Sequence, residues 1–174
     1  NTLGNGSGGG FSTVAGGAVG NVLGEAATAA SVLSFQFQVP DNTEALILEW
    51  MVGTEEFPEY GDKFTDIAAV FVDEVNYLYF PNGQKVEYIK PSTWTGGDPG
   101  TAPFFTSNTT TPAPAAAAVG TLNIEYDGVT PPDLLVGLLN TSLTTHTLQV
   151  VVSDTSDKIY DTSLYLDPIA LGVA

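Results

Sequence analysis

From Leu33 the chain alternates strictly, with Leu33, Phe35, Phe37 and Val39 on one side and Ser34, Gln36 and Gln38 on the other. A period of two predicts a half-buried strand with one solvated face, and Pro40-Asp41-Asn42 turns it. Residues 45–52 predict a second strand. Residues 67–72 are apolar at nearly every position, which predicts a central strand buried on both faces. Strands over 75–80 and 86–89 flank Pro81-Asn82-Gly83, a hairpin signal. Further strands are expected over 121–126, 145–153 and 162–166, with a weaker one over 134–139. No window carries an amphipathic helical period. Short strands separated by turn residues in this way predict an all-β fold, a β-sandwich of jelly-roll type with long loops.

Two stretches lack this rhythm. Residues 1–31 are rich in Gly, Ala and Ser, yet Phe11, Val14, Val19, Val22 and Leu23 give them apolar content. They read equally as a linker or as a segment packed on the sheet. Residues 91–120 hold prolines, threonines and an alanine tract and predict a long loop, of the kind that is functional or mobile in compact domains. A length of 174 residues suits one domain over 1–174 with a substantial core.

Charge changes the picture more than any other property. Twenty Asp and Glu stand against four Lys and no Arg, giving a net charge of −16. Nucleic acid and anionic membrane both need a basic face, so neither is an expected partner. A metal cation, a cationic partner or a salty medium fits better. With no Cys there are no disulfides, thiolate metal sites or cysteine nucleophiles. No apolar run is long enough for a membrane-spanning helix. The chain starts at Asn1 without a signal peptide and is read as a monomeric piece of something longer.

The acids are not spread evenly. Between Glu55 and Glu74 lie seven: Glu55, Glu56, Glu59, Asp62, Asp66, Asp73 and Glu74, with Lys63 the single cation among them. Phe57, Tyr60, Phe64 and Phe71 interleave with them, which a plain solvated tail has no reason to carry. A second group, Asp154, Asp157 and Asp161, sits in SDTSDKIYDTSLYL, and Asp127 lies in EYDG at another strand end. Strand ends in a sandwich gather at two poles, so these groups are expected to converge on one. Calcium takes six to eight oxygens from carboxylates, carbonyls and water, and carboxylates on turns meet that demand. Taken singly, each Asp reads as a solvated turn residue; taken together, they favour calcium. Asp73 and Glu74 lie beyond the buried strand at its other end and fall outside the cluster.

Catalysis is the competing use of paired acids. Adjacent Glu55 and Glu56 on a strand point to opposite faces and cannot flank one bond. The lone histidine, His146, has no serine in a nucleophile-elbow sequence to serve and reads as structural or surface. The chain is not expected to be an enzyme. Candidate ligand contacts are Tyr60, Trp94, Phe104, Phe105 and Tyr126, since loop aromatics stack on sugars or grip peptide side chains. The alternative for Trp94, Phe104 and Phe105 is that they pin the loop to the sandwich.

TEEFPEYGDKFTDIAAVFVD and NIEYDGVT…LQVVVSDTSDKIYDTSLYL together resemble bacterial surface proteins of the choice-of-anchor L type. That family carries segments resembling SEEYPEY…FNDVFAFFV and YDGLT…L.IAIADVGDSIYDSAVFL. Thr54-Glu55-Glu56-Phe57 and Phe64-Thr65-Asp66 stand for the first, and Asp127-Gly128-Val129-Thr130 and residues 154–166 for the second. The chain is also similar to the peptide-binding domain of large calcium-dependent RTX adhesins. The resemblance implies a secreted, cell-surface β-sandwich that captures the C-terminus of a peptide or protein on a host or neighbouring cell, with calcium helping to hold the carboxylate. It carries Glu55, Glu56, Asp66, Asp157 and Asp161 over as calcium-associated, while Thr65 replaces the family Asn. A carbohydrate-binding module and a calcium-stiffened spacer remain the alternatives.

Overall fold

The computed structural model describes residues 29–61, 65–89, 100–108, 122, 124–154 and 161–172. Ten strands follow in chain order: β1 (Ala29–Phe37), β2 (Ala45–Thr54), β3 (Asp66–Val72), β4 (Val75–Asn76), β5 (Val86–Glu87), β6 (Thr106–Ser107), β7 (Gly128–Val129), β8 (Asp133–Leu138), β9 (His146–Asp154) and β10 (Thr162–Gly172). They form two antiparallel sheets. Sheet A runs β1-β9-β3-β4, with β5 also paired to β3. Sheet B runs β10-β2-β7-β6, with β8 also paired to β2. The sheets pack face to face as a sandwich, and the helical content of the described residues is one short 3-10 turn, Ala102–Phe104.

The alternation in β2 fixes the core. Leu46, Leu48, Trp50 and Val52 point inward and meet Ala68, Val70 and Val72 of β3 and Leu148 of β9. Each fully buried side chain of this size contributes about 1.5–3 kcal/mol by leaving water. One end of this core is aromatic. Phe80 stacks on Phe104 with centroids 4.4 Å apart, and Phe105 meets Phe80, Tyr88 and Phe57. The continuous apolar run of β3 is buried along its whole length. A second cluster, Ile67, Ala69, Phe71 and Val151, lies on its other face.

Three expectations are corrected. The alternating strand β1 does form, but Leu33 is 60% exposed and Phe35 45% exposed. Its register places Leu33 beside Val150 and Phe35 beside Leu148, hence on the inward face. β1 is the edge of sheet A, whereas β10, the edge of sheet B, lies against β9 and β3. The expected strand over 75–80 shortens to two residues and an isolated Tyr79–Lys85 bridge. The side chain of Asn76 takes the amides of Val70 and Leu78 through Oδ1, displacing ladder bonds. Nor is there a strand at residues 122 and 124–126, the described part of the one expected over 121–126. The Asn108 amide donates to the carbonyls of Leu122, Ile124 and Tyr126, and its Oδ1 accepts from Leu122 N at 2.6 Å. One side chain thus meets three carbonyls and an amide that would otherwise need partners from a neighbouring strand. Within the expected long loop, the described part carries the 3-10 turn and β6, which pairs with β7. The N-terminal segment through residue 28 lies outside the described residues.

Candidate functional site: an acidic pole

Register alone brings the two acidic segments together. β3 pairs with β9 so that Asp66 faces Asp154, and β10 pairs with β2 so that Thr162 faces Thr54. The end of β2, the start of β3, the end of β9 and the start of β10 therefore meet at one pole. The threonine pair is bonded through its hydroxyls at 2.9 Å. Just beyond it the chains exchange bonds again: Glu55 N donates to the Asp161 carbonyl at 3.1 Å, and Asp161 N donates to Glu55 Oε2 at 3.3 Å.

Glu55 and Glu56, in the bend just past the end of β2, diverge. Glu55 turns toward β10, while Glu56 turns inward and is 0% exposed. Its Oε2 accepts the Asp66 amide at 3.3 Å, and its own amide is held by Thr54 Oγ1 at 3.2 Å. Asp66 is buried beside it. Burial first, then the charges of Glu56 and Asp154, push the Asp66 carboxyl up to about 9. A hydrogen bond shared with the Asp154 carboxyl acts in the same direction, and one from Thr162 opposes it. Asp66 Oδ2 is buried and accepts no hydrogen bond, and the same holds for the Oε1 atom of Glu56.

Asp127 arrives from a third segment. Gly128 pairs with Thr54 and lies so close to Phe57 that a Cβ there would sit 2.4 Å from Phe57 Cβ. That approach requires glycine and sets the preceding carboxylate beside the pole. Burial, and secondarily the charge of Glu59, raises the Asp127 carboxyl. The structure thus gathers Glu55, Glu56, Asp66, Asp127, Asp154 and Asp161 at one end of the sandwich. Asp62 and Asp157, the other expected metal ligands, lie outside the described residues, as does Trp94. Among the described residues no group of three or more Asp, Glu or His side chains is closed tightly enough to hold a metal by itself.

The aromatic candidates divide. Tyr60 is exposed beside the pole, its amide donating to the Glu56 carbonyl at 2.9 Å. Tyr126 is half-buried and shares a hydrogen bond with Ser163. Its ring lies 2.7 Å from where a Gly53 Cβ would be. Phe105 is buried and Phe104 stacks on Phe80, so both pin their loop to the core. Sequence reasoning missed Asn108 and the Thr54–Thr162 pair. An Asn or Thr whose partner is a remote backbone group or hydroxyl leaves no local pattern.

The opposite pole is built differently. There Asp73, at φ 47°, accepts hydrogen bonds from His146 Nδ1 at 2.7 Å, Thr147 N at 3.0 Å and Asn140 N at 3.2 Å. Burial pushes the Asp73 carboxyl up, but the bonds from His146, Thr147 and Asn140 outweigh it and leave it below the usual value. His146 is buried against Phe37 and is hydrogen-bonded to Asp73, with no serine bonded to it among the described residues. That bond ties the β3–β4 turn to β9. No protein-family model, curated protein or solved structure matches the chain.

Proposed function

We propose that this jelly-roll-like sandwich is a calcium-dependent module of a bacterial cell-surface adhesin that binds the terminus of a peptide or protein. The observation that carries the reading is the buried Asp66 carboxylate at the meeting point of two acidic segments, with one oxygen lacking a hydrogen bond. A buried carboxylate is costly unless it is protonated or faces a cation. The proposed donors are all oxygen, from Asp66, Asp154 and Glu56 with Asp127 at the same end of the sandwich. Among the described residues they close no metal site by themselves, and an all-oxygen set suits a hard cation such as calcium. Asp62 and Asp157 would add to it. A bound calcium supplies local positive charge in a chain of net −16, so an anionic peptide terminus is attracted where it would otherwise be repelled. Tyr60, exposed on the turn beside Glu56, would contact the side chains that precede that terminus.

The test is thermal melting in calcium and in chelator, both in moderate sodium chloride. At calcium a hundredfold above its dissociation constant the midpoint should rise by roughly 5–10 °C. An unchanged midpoint would sink the reading, and recovery by sodium chloride alone would make the charge a halophilic surface. Peptides with free and amidated C-termini, run beside a glycan array, then test the ligand class. Binding of the free acid alone is expected, and glycan binding would favour the carbohydrate alternative.

A further inference from the structure

β8 is an edge strand with an unusual outer surface. Leu134, Val136 and Leu138 are 56%, 49% and 59% exposed. The alternate residues are committed to the core: Leu135 and Leu139 are buried, and Gly137 lies 2.6 Å (measured from its would-be Cβ) from Val72 Cγ2 of the opposite sheet. Edge strands are commonly blunted by charge, proline or a bulge. Between Leu134 and Leu138 this one has none of these.

Backbone geometry points the same way. Leu139 N donates to the Glu44 carbonyl at 2.8 Å, directly across the β2–β8 ladder. Antiparallel pairing alternates bonded and non-bonded pairs, so the backbone groups of Leu138, Val136 and Leu134 face away from β2. Leu134 N is taken by Asp133 Oδ1 at 2.8 Å. The rest have no strand beside them among the described residues. β10 occupies one side of β2, so β7 and β8 share the other, and β6 already lies on the far side of β7. The open lane along β8 continues the line of β6.

We infer that this lane accepts an extended segment of a partner polypeptide by strand addition, and that the segment carries alternating aliphatic and basic side chains. Strand addition uses main-chain bonds for affinity and alternate side chains for selectivity. Leu134, Val136 and Leu138 provide the aliphatic surface. The charged residues in the strands of sheet B are Glu49, Asp133 and Asp167, all acidic. Glu49 and Asp167 share the outer face of Leu134, so it is Asp133 on the other face and above all the net −16 of the chain that favour a basic strand and oppose a second copy. The surface lies on β8, which pairs with residues 45–50 of β2, away from the acidic pole at Thr54.

The probe is a fluorescein-labelled (Lys-Val)4 peptide with an amidated C-terminus, followed by fluorescence anisotropy in chelator. Neither a free peptide C-terminus nor calcium is then present, so the result is independent of the function proposed above. Saturable binding is expected, weakened at least tenfold when alternate peptide amides are N-methylated. It should weaken similarly in Val136→Pro, which removes only an outward-facing amide, and several-fold in the double variant L134S/L138S. A (Glu-Val)4 peptide should not bind. The inference is overturned if the wild-type protein does not bind the lysine peptide. It is equally overturned if N-methylation leaves binding unchanged, a control that needs no folded variant. Concentration-dependent dimers in sedimentation, abolished by L134S/L138S, would assign the edge to a second copy and overturn it too.

Discussion

Asp66 and Asp73 sit at the two ends of the same strand, and the sandwich treats them in opposite ways. Asp73 accepts three donors, from His146, Thr147 and Asn140, and its carboxyl is held below the usual value. Asp66 has two carboxylates for neighbours, Glu56 and Asp154, and is pushed up to about 9. At one pole the Asp73 carboxylate is answered from within the chain. The other gathers negative charge and leaves a buried oxygen without a donor. The difference teaches where to look for a missing component: not where acids are most numerous, but where a buried carboxylate keeps one oxygen without a donor.

The sharpest way to break the comparison is to neutralise each aspartate in turn. Asp66→Asn should abolish the stabilisation by calcium, a loss of roughly 5–10 °C, while leaving the protein in chelator as stable as wild type or more so. Asp73→Ala should do the reverse. It strands three donors and should cost about 2–3 kcal/mol in urea unfolding, with the calcium response intact. If both variants behaved alike, the two poles would not be different kinds of site.

The pH dependence is a smaller effect with a definite sign. The Asp66 carboxyl is raised in the fold, so its contribution is fully present below the ordinary Asp value of 3.8 and is lost as pH rises toward about 9. The Asp73 carboxyl is lowered, so its contribution is present above the ordinary value and is lost as pH falls through the depressed one. In chelator the melting temperature should therefore decline from pH 5 to pH 9, and Asp66→Asn should flatten that decline. A rise over the same range in wild type would contradict the account of Asp66.

Much of this contrast was legible in the sequence. The unbroken apolar run Ile67–Val72 predicted a strand buried on both faces, which placed its flanking acids at opposite ends of the sandwich. The alternation in 45–52 gave β2, and the two acidic segments were expected to meet because strand ends collect at poles. The register that sets Asp66 opposite Asp154 was not legible, since pairing depends on packing across the whole sheet. Nor was the exposure of Leu33 and Phe35. Their alternation is correct for a half-buried strand, but the sequence does not say that β1 would be an edge. Phe104 and Phe105 looked equally suited to ligand and to core, and only their stacking on Phe80 and Tyr88 places them in the core. In the described part of the strand expected over 121–126 the backbone turns to a side chain instead: Asn108 takes the carbonyls of Leu122, Ile124 and Tyr126 and the amide of Leu122.

The most direct test is isothermal titration of calcium into the chelator-stripped protein at pH 7.5, for wild type and Asp66→Asn in parallel. The account predicts saturable binding by wild type and loss of that binding in the variant, with Asp73→Ala titrating as wild type does. Absence of binding at millimolar calcium, or equal binding by Asp66→Asn, would contradict it.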